Sequence, residues 1–197
     1  MPGFIIHIAT AQKYVEKHKL EIKNEEEFIK GAIAPDLNEN LDAPAEDKSK
    51  THYGKWGKYE VTTYIDEFLK DSNIDISKDF WKGYFLHLLA DHYFYNKIFK
   101  EEHVEMVKNN DRFYYDYDCL NKSLIEKYEI HVFDNIKKYM NFFDEKPKYL
   151  DETKVIDFIE QISDMKIEDK IEIIKQKGGF FMANKINFRT DLADERR

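Results

Sequence analysis

The stretch from Asp79 to Phe99, DFWKGYFLHLLADHYFYNKIF, reads as one long aromatic-rich helix around which the rest of the chain is organised. A helix built only for core packing has no need of His87 and Asp91, yet the two stand four residues apart in its middle. Four residues turn a helix through about 400°, so both side chains project from one face a turn apart. Gly83 lies one further turn back on that stripe, where a missing side chain lets another segment approach closely. Such a face can hold a metal ion between an imidazole and a carboxylate. It can equally be a core histidine beside a helix acid, and the pair alone leaves both readings open.

Composition narrows the class of molecule. A chain of 197 residues is expected to form one domain spanning residues 1–197, large enough to bury about 70% of its unfolded surface without disulfides or a structural metal. A metal here would therefore be functional before it was structural. Charged residues reach 36%, but 15% aromatics, among them 13 Tyr and 15 Phe, supply enough large side chains for a core. A net charge of -8 argues against a dedicated binder of nucleic acid or anionic membrane, so no stable nucleic-acid complex is expected. The single Cys119 removes intrachain disulfides and thiolate clusters, leaving N and O ligands for any metal. Met1 to Gln12 is apolar, but no Lys or Arg precedes the run and His7 interrupts it, so it reads as mature protein. No run approaches the ~18 to 20 apolar residues of a membrane span, and a cytoplasmic location is expected.

Along the chain, helical spacing runs from His7 to Lys19, placing His7 in a first turn. Asn24 with Glu27 has the form of a capping box opening a helix that must end before Pro35. Asp36 follows on the helix exit, and Pro35 to Thr51 is the longest segment without periodicity, a length usually functional or mobile. His52 closes that loop. Further helices are expected over Lys58–Lys70, with Val61, Tyr64, Ile65 and Phe68 on one face, and over the central stretch with Ser77 as N-cap. Glu101 to Lys108 is polar, and Asp111 to Asp118 forms an acidic, tyrosine-rich patch expected to be a solvated loop. Helices then follow over Leu120–Tyr128, His131–Phe142, Glu152–Ile162 and Ile167–Lys177, with Gly178 and Gly179 as C-cap residues and a poorly structured tail. No alternating runs between turn signals suggest a sheet, so the expected fold is an all-α, multi-helix bundle with a metal site in its core cleft.

His7, Asp36 and His52 each fall at a helix start, a helix exit or a loop end. With His87 and Asp91 they give three imidazoles and two carboxylates, a set suited to Zn²⁺ or another divalent transition ion. Helices in a bundle can bring such distant positions together. The ordered succession of His7 in FIIHIATA, Gly31 to Asp36 (GAIAPD), Thr51 to Tyr53 (THY), and Gly83 to Asp91 (G-x-x-x-H-x-x-x-D) resembles the zinc-dependent phospholipase C family, related to the S1/P1 nucleases. The resemblance covers roughly the first half of the chain. It implies an all-helical fold in which zinc ions activate water to hydrolyse a phosphate ester. It further implies that Asp36, His52, His87 and Asp91 form one metal site and that Asp91 bridges to a second metal bound by His7. Asp36 would also orient or deprotonate the water, and the substrate would be a small phosphate ester.

Departures from the family are equally specific. Secreted members begin with a Trp that helps to hold a metal, whereas this chain begins Met-Pro-Gly-Phe, and a later H-x-x-x-E helix is missing. One or two zinc ions are therefore expected, with Asp116 or Asp118 available to replace a missing ligand. Tyr53, Trp56, Tyr84 and Tyr95 are aromatic candidates for substrate contact, or for the core. An HD-type phosphohydrolase needs adjacent His-Asp, and this chain has only the reverse, Asp91-His92. The alternative of another class is a catalytically inactive helical binding protein that keeps the fold and a structural metal. Oligomeric state is not legible from the sequence.

Overall fold

The computed structural model describes residues 3–56 and 61–176, and the described chain is all-α apart from one short hairpin. Helix α1, Phe4–Lys17, opens three residues ahead of the expected start and buries nearly every side chain from Ile5 to Ala11. Helix α2, Glu25–Ile33, is capped as its sequence predicts, with the Asn24 side chain accepting from the Glu27 N–H. Its end tightens into a 3₁₀ turn, Ala34–Asp36, where Pro35 cannot continue an α-helix. The loop that follows is knit rather than loose. Asn38 N–H donates to Ala43 O at 2.8 Å, and Ala45 N–H donates to Asp36 O at 2.9 Å. A one-turn helix α3, Lys48–Thr51, ends it beside His52.

Where one helix is expected over Lys58–Lys70, the structure divides the segment. Residues 57–60 lie outside the described residues. Strand β1, Gly54–Trp56, pairs antiparallel with β2, Val61–Thr63, and helix α4, Ile65–Lys70, begins only afterwards. Three successive β-branched residues at 61–63 explain the correction, since they crowd a helical turn and suit a pleated one.

The central stretch forms helix α5, Asp79–Tyr93, followed by a π turn at Phe94–Ile98. Ser77 does not cap it; its hydroxyl donates to Asp75, and Lys78 holds the N-cap position. The π turn has a packing cause. Phe94 and Phe99 are both fully buried with ring centroids 4.4 Å apart. Five residues of α-helix would separate them by about 140° around the axis. The Phe99 N–H to Phe94 O bond at 2.8 Å widens the turn and returns both rings to one side.

Helices α2 and α5 cross at two glycines. A Cβ on Gly83 would lie 1.9 Å from the Phe28 carbonyl oxygen, and one on Gly31 would lie 1.9 Å from that of Phe80. Asp79 also accepts from the Lys23 and Asn24 N–H groups at 2.9 and 2.7 Å, fixing the start of α2 against the start of α5. The backbone contact is thus close enough to let side chains farther along both helices meet.

The second half packs mainly on α1. Helix α6, Lys100–Lys108, precedes α7, Tyr114–Tyr128, which starts six residues before the expected Leu120 and absorbs much of the acidic patch. Only Asp134–Lys137, α8, is helical within the expected 131–142 helix. Helices α9, Glu152–Ser163, and α10, Ile167–Gln176, match their predicted spans, while the Gly178-Gly179 cap and the tail lie outside the described residues. Tyr14 Oη accepts from Ile167 N–H and Lys17 pairs with Glu160 and Asp164, docking α9 and α10 on α1.

Asp116 is fully buried in α7 and is no loop acid. Its carboxylate accepts from the N–H groups of Lys148, Tyr149 and Leu150 at 3.0, 2.7 and 2.8 Å. We predict that Asp116→Asn lowers the unfolding free energy by about 2 kcal/mol, because an amide NH₂ would face at least one of these donors and the carboxylate charge would be lost. Denaturant titration checks this, and zinc uptake should be unaffected. A loss below about 0.5 kcal/mol would show that the N–H groups find other partners.

Candidate metal centre

All five residues singled out in the sequence converge in the interior. His7 comes from α1, Asp36 from the 3₁₀ turn after α2, His52 from the end of α3, and His87 and Asp91 from α5. Each is at most 2% exposed. Among the described residues, two ligand-atom groups are close enough to share an ion: His7, Asp36 and His87, and His52, His87 and Asp91.

Backbone carbonyls set the tautomers. His87 Nδ1 lies 2.8 Å from Ala32 O, and His52 Nδ1 lies 2.9 Å from Lys48 O. A carbonyl can only accept, so each Nδ1 carries a proton, and either ring presents a lone pair at Nε2 when it is neutral. Those two Nε2 atoms face each other at 3.1 Å. His52 Nε2 is 3.3 Å from Asp36 Oδ1 and 3.2 Å from Asp91 Oδ2, and His87 Nε2 is 3.8 and 3.3 Å from the same oxygens. Donors around a tetrahedral Zn²⁺ stand about 3.3 Å apart, given metal-ligand distances near 2.0–2.1 Å. Four of these five separations, 3.1–3.3 Å, match that value, and the fifth, His87 Nε2 to Asp36 Oδ1, is longer at 3.8 Å; His52, His87 and Asp91 fit one ion, with Asp36 at its edge.

The remaining atoms point to a second position. Asp91 Oδ1 lies 3.5 Å from His7 Nε2, and His7 stacks on His87 with ring centroids 3.7 Å apart. Asp36 Oδ2, both Asp91 oxygens and His7 Nε2 are buried and have no hydrogen-bond partner. Buried polar atoms are rarely left so, and a cation accounts for all of them at once. The residues present fit a divalent ion at the first position, with Asp91 placed to extend to the second.

Charge states agree with that use. Burial pushes the His7 pKa down to about 4, aided by His87, so the ring is a neutral ligand at pH 7. Burial alone would raise the Asp36 and Asp91 carboxyls. For Asp36, Lys48, His87 and His52 outweigh burial; for Asp91, His87, His52 and His7 do, and both carboxyls stay below the ordinary carboxylate range. Burial lowers the His52 pKa, but its hydrogen bonds with Asp36 and Asp91 raise it overall.

The structure corrects the proposed replacement ligands. Asp116 is spent on three backbone N–H groups, and Asp118 accepts from the N–H and side-chain amide of Asn141. Neither joins the cluster. His92 and His103 are buried outside it.

A cleft of about 490 Å³ is walled by Phe4, Ala45, Tyr114, Tyr117 and Tyr139; none of the five cluster residues lines it, and Lys48, which does, lies 3.5 Å from Asp36. Sequence reasoning missed this lining. Of the aromatic candidates, Tyr53 donates to Asp71 at 2.7 Å, Tyr84 donates to Thr51 O, and Tyr95 Oη sits 3.4 Å from the Oη of the lining Tyr117; none of the three lines the cleft itself. The Trp56 side chain lies outside the described part of the structure. The lining tyrosines come from the acidic patch and the segment after α8, which carry no motif of their own.

No helix among the described residues is long and apolar enough to cross a membrane. Comparison of the chain with protein-family models, curated proteins and solved structures gives no match in any of the three.

Proposed function

We propose that the chain is a metal-dependent phosphoesterase of the zinc-dependent phospholipase C kind, cleaving a phosphodiester such as a phospholipid head group or a nucleotide. The observation that carries this reading is the convergence of the His52 and His87 Nε2 atoms with the Asp36 and Asp91 carboxylates in the interior, most of their separations at 3.1–3.3 Å. When bound, Zn²⁺ brings the pKa of its water to about 7 and neutralises phosphoryl charge. His52, His87, Asp36 and Asp91 would hold the first ion, and His7 with Asp91 a second. The carbonyls of Lys48 and Ala32 keep the imidazoles oriented, as partners of metal-binding histidines commonly do. Asp36 Oδ2 has no partner and its carboxyl stays ionised, which suits it to orient a water; its lowered pKa makes it the weaker choice as a base.

The test measures metal content together with hydrolysis of bis(4-nitrophenyl) phosphate, a short-chain phosphatidylcholine and a dinucleotide. Turnover that disappears on chelation and returns with zinc is the expected result. A second reading is favoured by the first position's closure with four protein donors, the pattern of a structural site. A stoichiometric ion with no hydrolysis of any of the three esters would establish that binding role instead.

A further inference from the structure

We propose that residues 37–47 form a gate over the metal-ligand cluster, shut in this structure and latched from across the cleft by the side chains of Asn135 and Tyr139; this rests on reading the cluster as a metal centre. All five cluster residues are at most 2% exposed. An ion or an ester reaches them only when a covering element moves. The segment 37–47 is joined to the cluster at both ends, since Asp36 precedes it and His52 follows it after α3. It is also lightly held. Leu37 is buried, but no residue from Asn38 to Asp47 is, and segments with so little buried surface open at the low end of a protein's local stabilities.

The gate is knit within itself. Asn38 N–H donates to Ala43 O at 2.8 Å, the Asn38 side-chain amide donates to Asp42 Oδ1 at 2.8 Å, and Leu37 and Pro44 form an isolated bridge, so the segment can swing as one body. Two side chains reach it from the other wall. Asn135 Nδ2 donates to Leu41 O, and Tyr139 Oη donates to Asp42 O at 3.4 Å, both at the surface. Pro44 and Ala45 line the cleft from the gate, and Tyr139, Met140 and Asn141 line it from the segment that carries the latch, so these bonds join two of its walls. Ile136, fully buried, anchors that segment in the core. Leu41 holds a φ of 56°, a left-handed conformation that a leucine keeps where its surroundings impose it, and the Asn135 bond to its carbonyl is one such restraint.

A rival role for the two bonds is to stiffen the ion-bound centre. The roles separate kinetically. Both bonds end on gate carbonyls and not on a metal-ligand side chain, so a latch holds the gate shut equally with and without an ion. Losing it speeds zinc entry and zinc release by one factor and leaves affinity where it was. Losing a stiffener speeds release alone and weakens affinity to match.

The experiment uses stopped flow to mix zinc-free protein with zinc, and zinc-loaded protein with excess chromophoric chelator, for the wild type and for Asn135→Ala/Tyr139→Phe. We expect both rates to rise about 5- to 30-fold in the double variant, the contribution of two exposed hydrogen bonds to an opening equilibrium, with their ratio changed by less than about threefold. Tyr139→Phe alone should show a smaller rise of both rates, and it serves in place of a double variant that folds poorly. Asp116→Asn, destabilised through other contacts, should change neither rate. Unchanged rates in the latch variants overturn the inference, as does faster release with an equal loss of affinity, or an equal rise of both rates in Asp116→Asn. A wild type that takes up no divalent ion, seen in its metal content, overturns the metal reading and this inference with it.

Discussion

Asp91→Asn should strip the centre of zinc and abolish metal-dependent hydrolysis while leaving the helices folded. One Asp91 oxygen lies 3.2 and 3.3 Å from the Nε2 atoms of His52 and His87, and the other lies 3.5 Å from that of His7. Its two oxygens thus lie within 3.5 Å of all three imidazoles of the cluster. Asparagine keeps one oxygen but turns the other position into a donor, which no cation can use as a ligand. Changing a partner one layer beyond a metal typically costs 10- to 100-fold in affinity, so loss of a shared donor should cost at least about 100-fold. Zinc at about 100 times its Kd stabilises a folded protein by about 2.7 kcal/mol, a rise in Tm of roughly 5–10 °C for a chain of this size. Thermal unfolding with zinc and with chelator should show that rise in the wild type and little of it in Asp91→Asn. A variant that keeps the full shift would remove Asp91 from the site.

The second large effect lies away from any ligand. Gly83→Ala places a methyl group 1.9 Å from the Phe28 carbonyl oxygen, a backbone atom that cannot step aside. In an exposed helix the same change would gain about 1 kcal/mol. Here α2 and α5 must separate, and we expect a net loss of about 3 kcal/mol, at the upper end of overpacking costs, with Tm lower by roughly 6–12 °C. Helix α2 carries the Ala32 carbonyl that orients His87 and leads directly into Asp36, so its displacement should also weaken zinc binding. Asp116→Asn serves as the contrast, because it should destabilise the chain without touching zinc affinity. Equal zinc affinity in Gly83→Ala and wild type would show that the crossing does not position the site.

The all-α class and the convergence of the five residues were more legible in the sequence than the bounds of the elements around them. His87 and Asp91 share a helix face because of their spacing, and the exit after Pro35 and the end of the long loop bring Asp36 and His52 inward. Gly83 was readable as a point of close approach, but nothing in the sequence names Gly31 and Phe80 as the reciprocal contact. The β1–β2 hairpin stayed hidden because three-residue strands are too short to alternate, and Val61, Ile65 and Phe68 also satisfy helical spacing. Asp116 was misread for a different reason. A helix interior that holds a buried carboxylate looks, residue by residue, like a solvated acidic loop; only the approach of 148–150 from another part of the chain distinguishes them. The cleft tyrosines were invisible on the same account, since which side of α7 faces α1 is a tertiary fact.

The loop between Asp36 and His52 gives the centre a consequence for folding as well as for chemistry. An ion gripping both ends closes a ring of roughly 17 residues, and a crosslink of that size restricts the unfolded chain by about 3 kcal/mol in the loop-entropy picture. With one cysteine, Cys119, the chain has no covalent means of making such a tie. The ion would act as a reversible clasp, and a chelator would lengthen the loop's search for its native ends as well as empty the site.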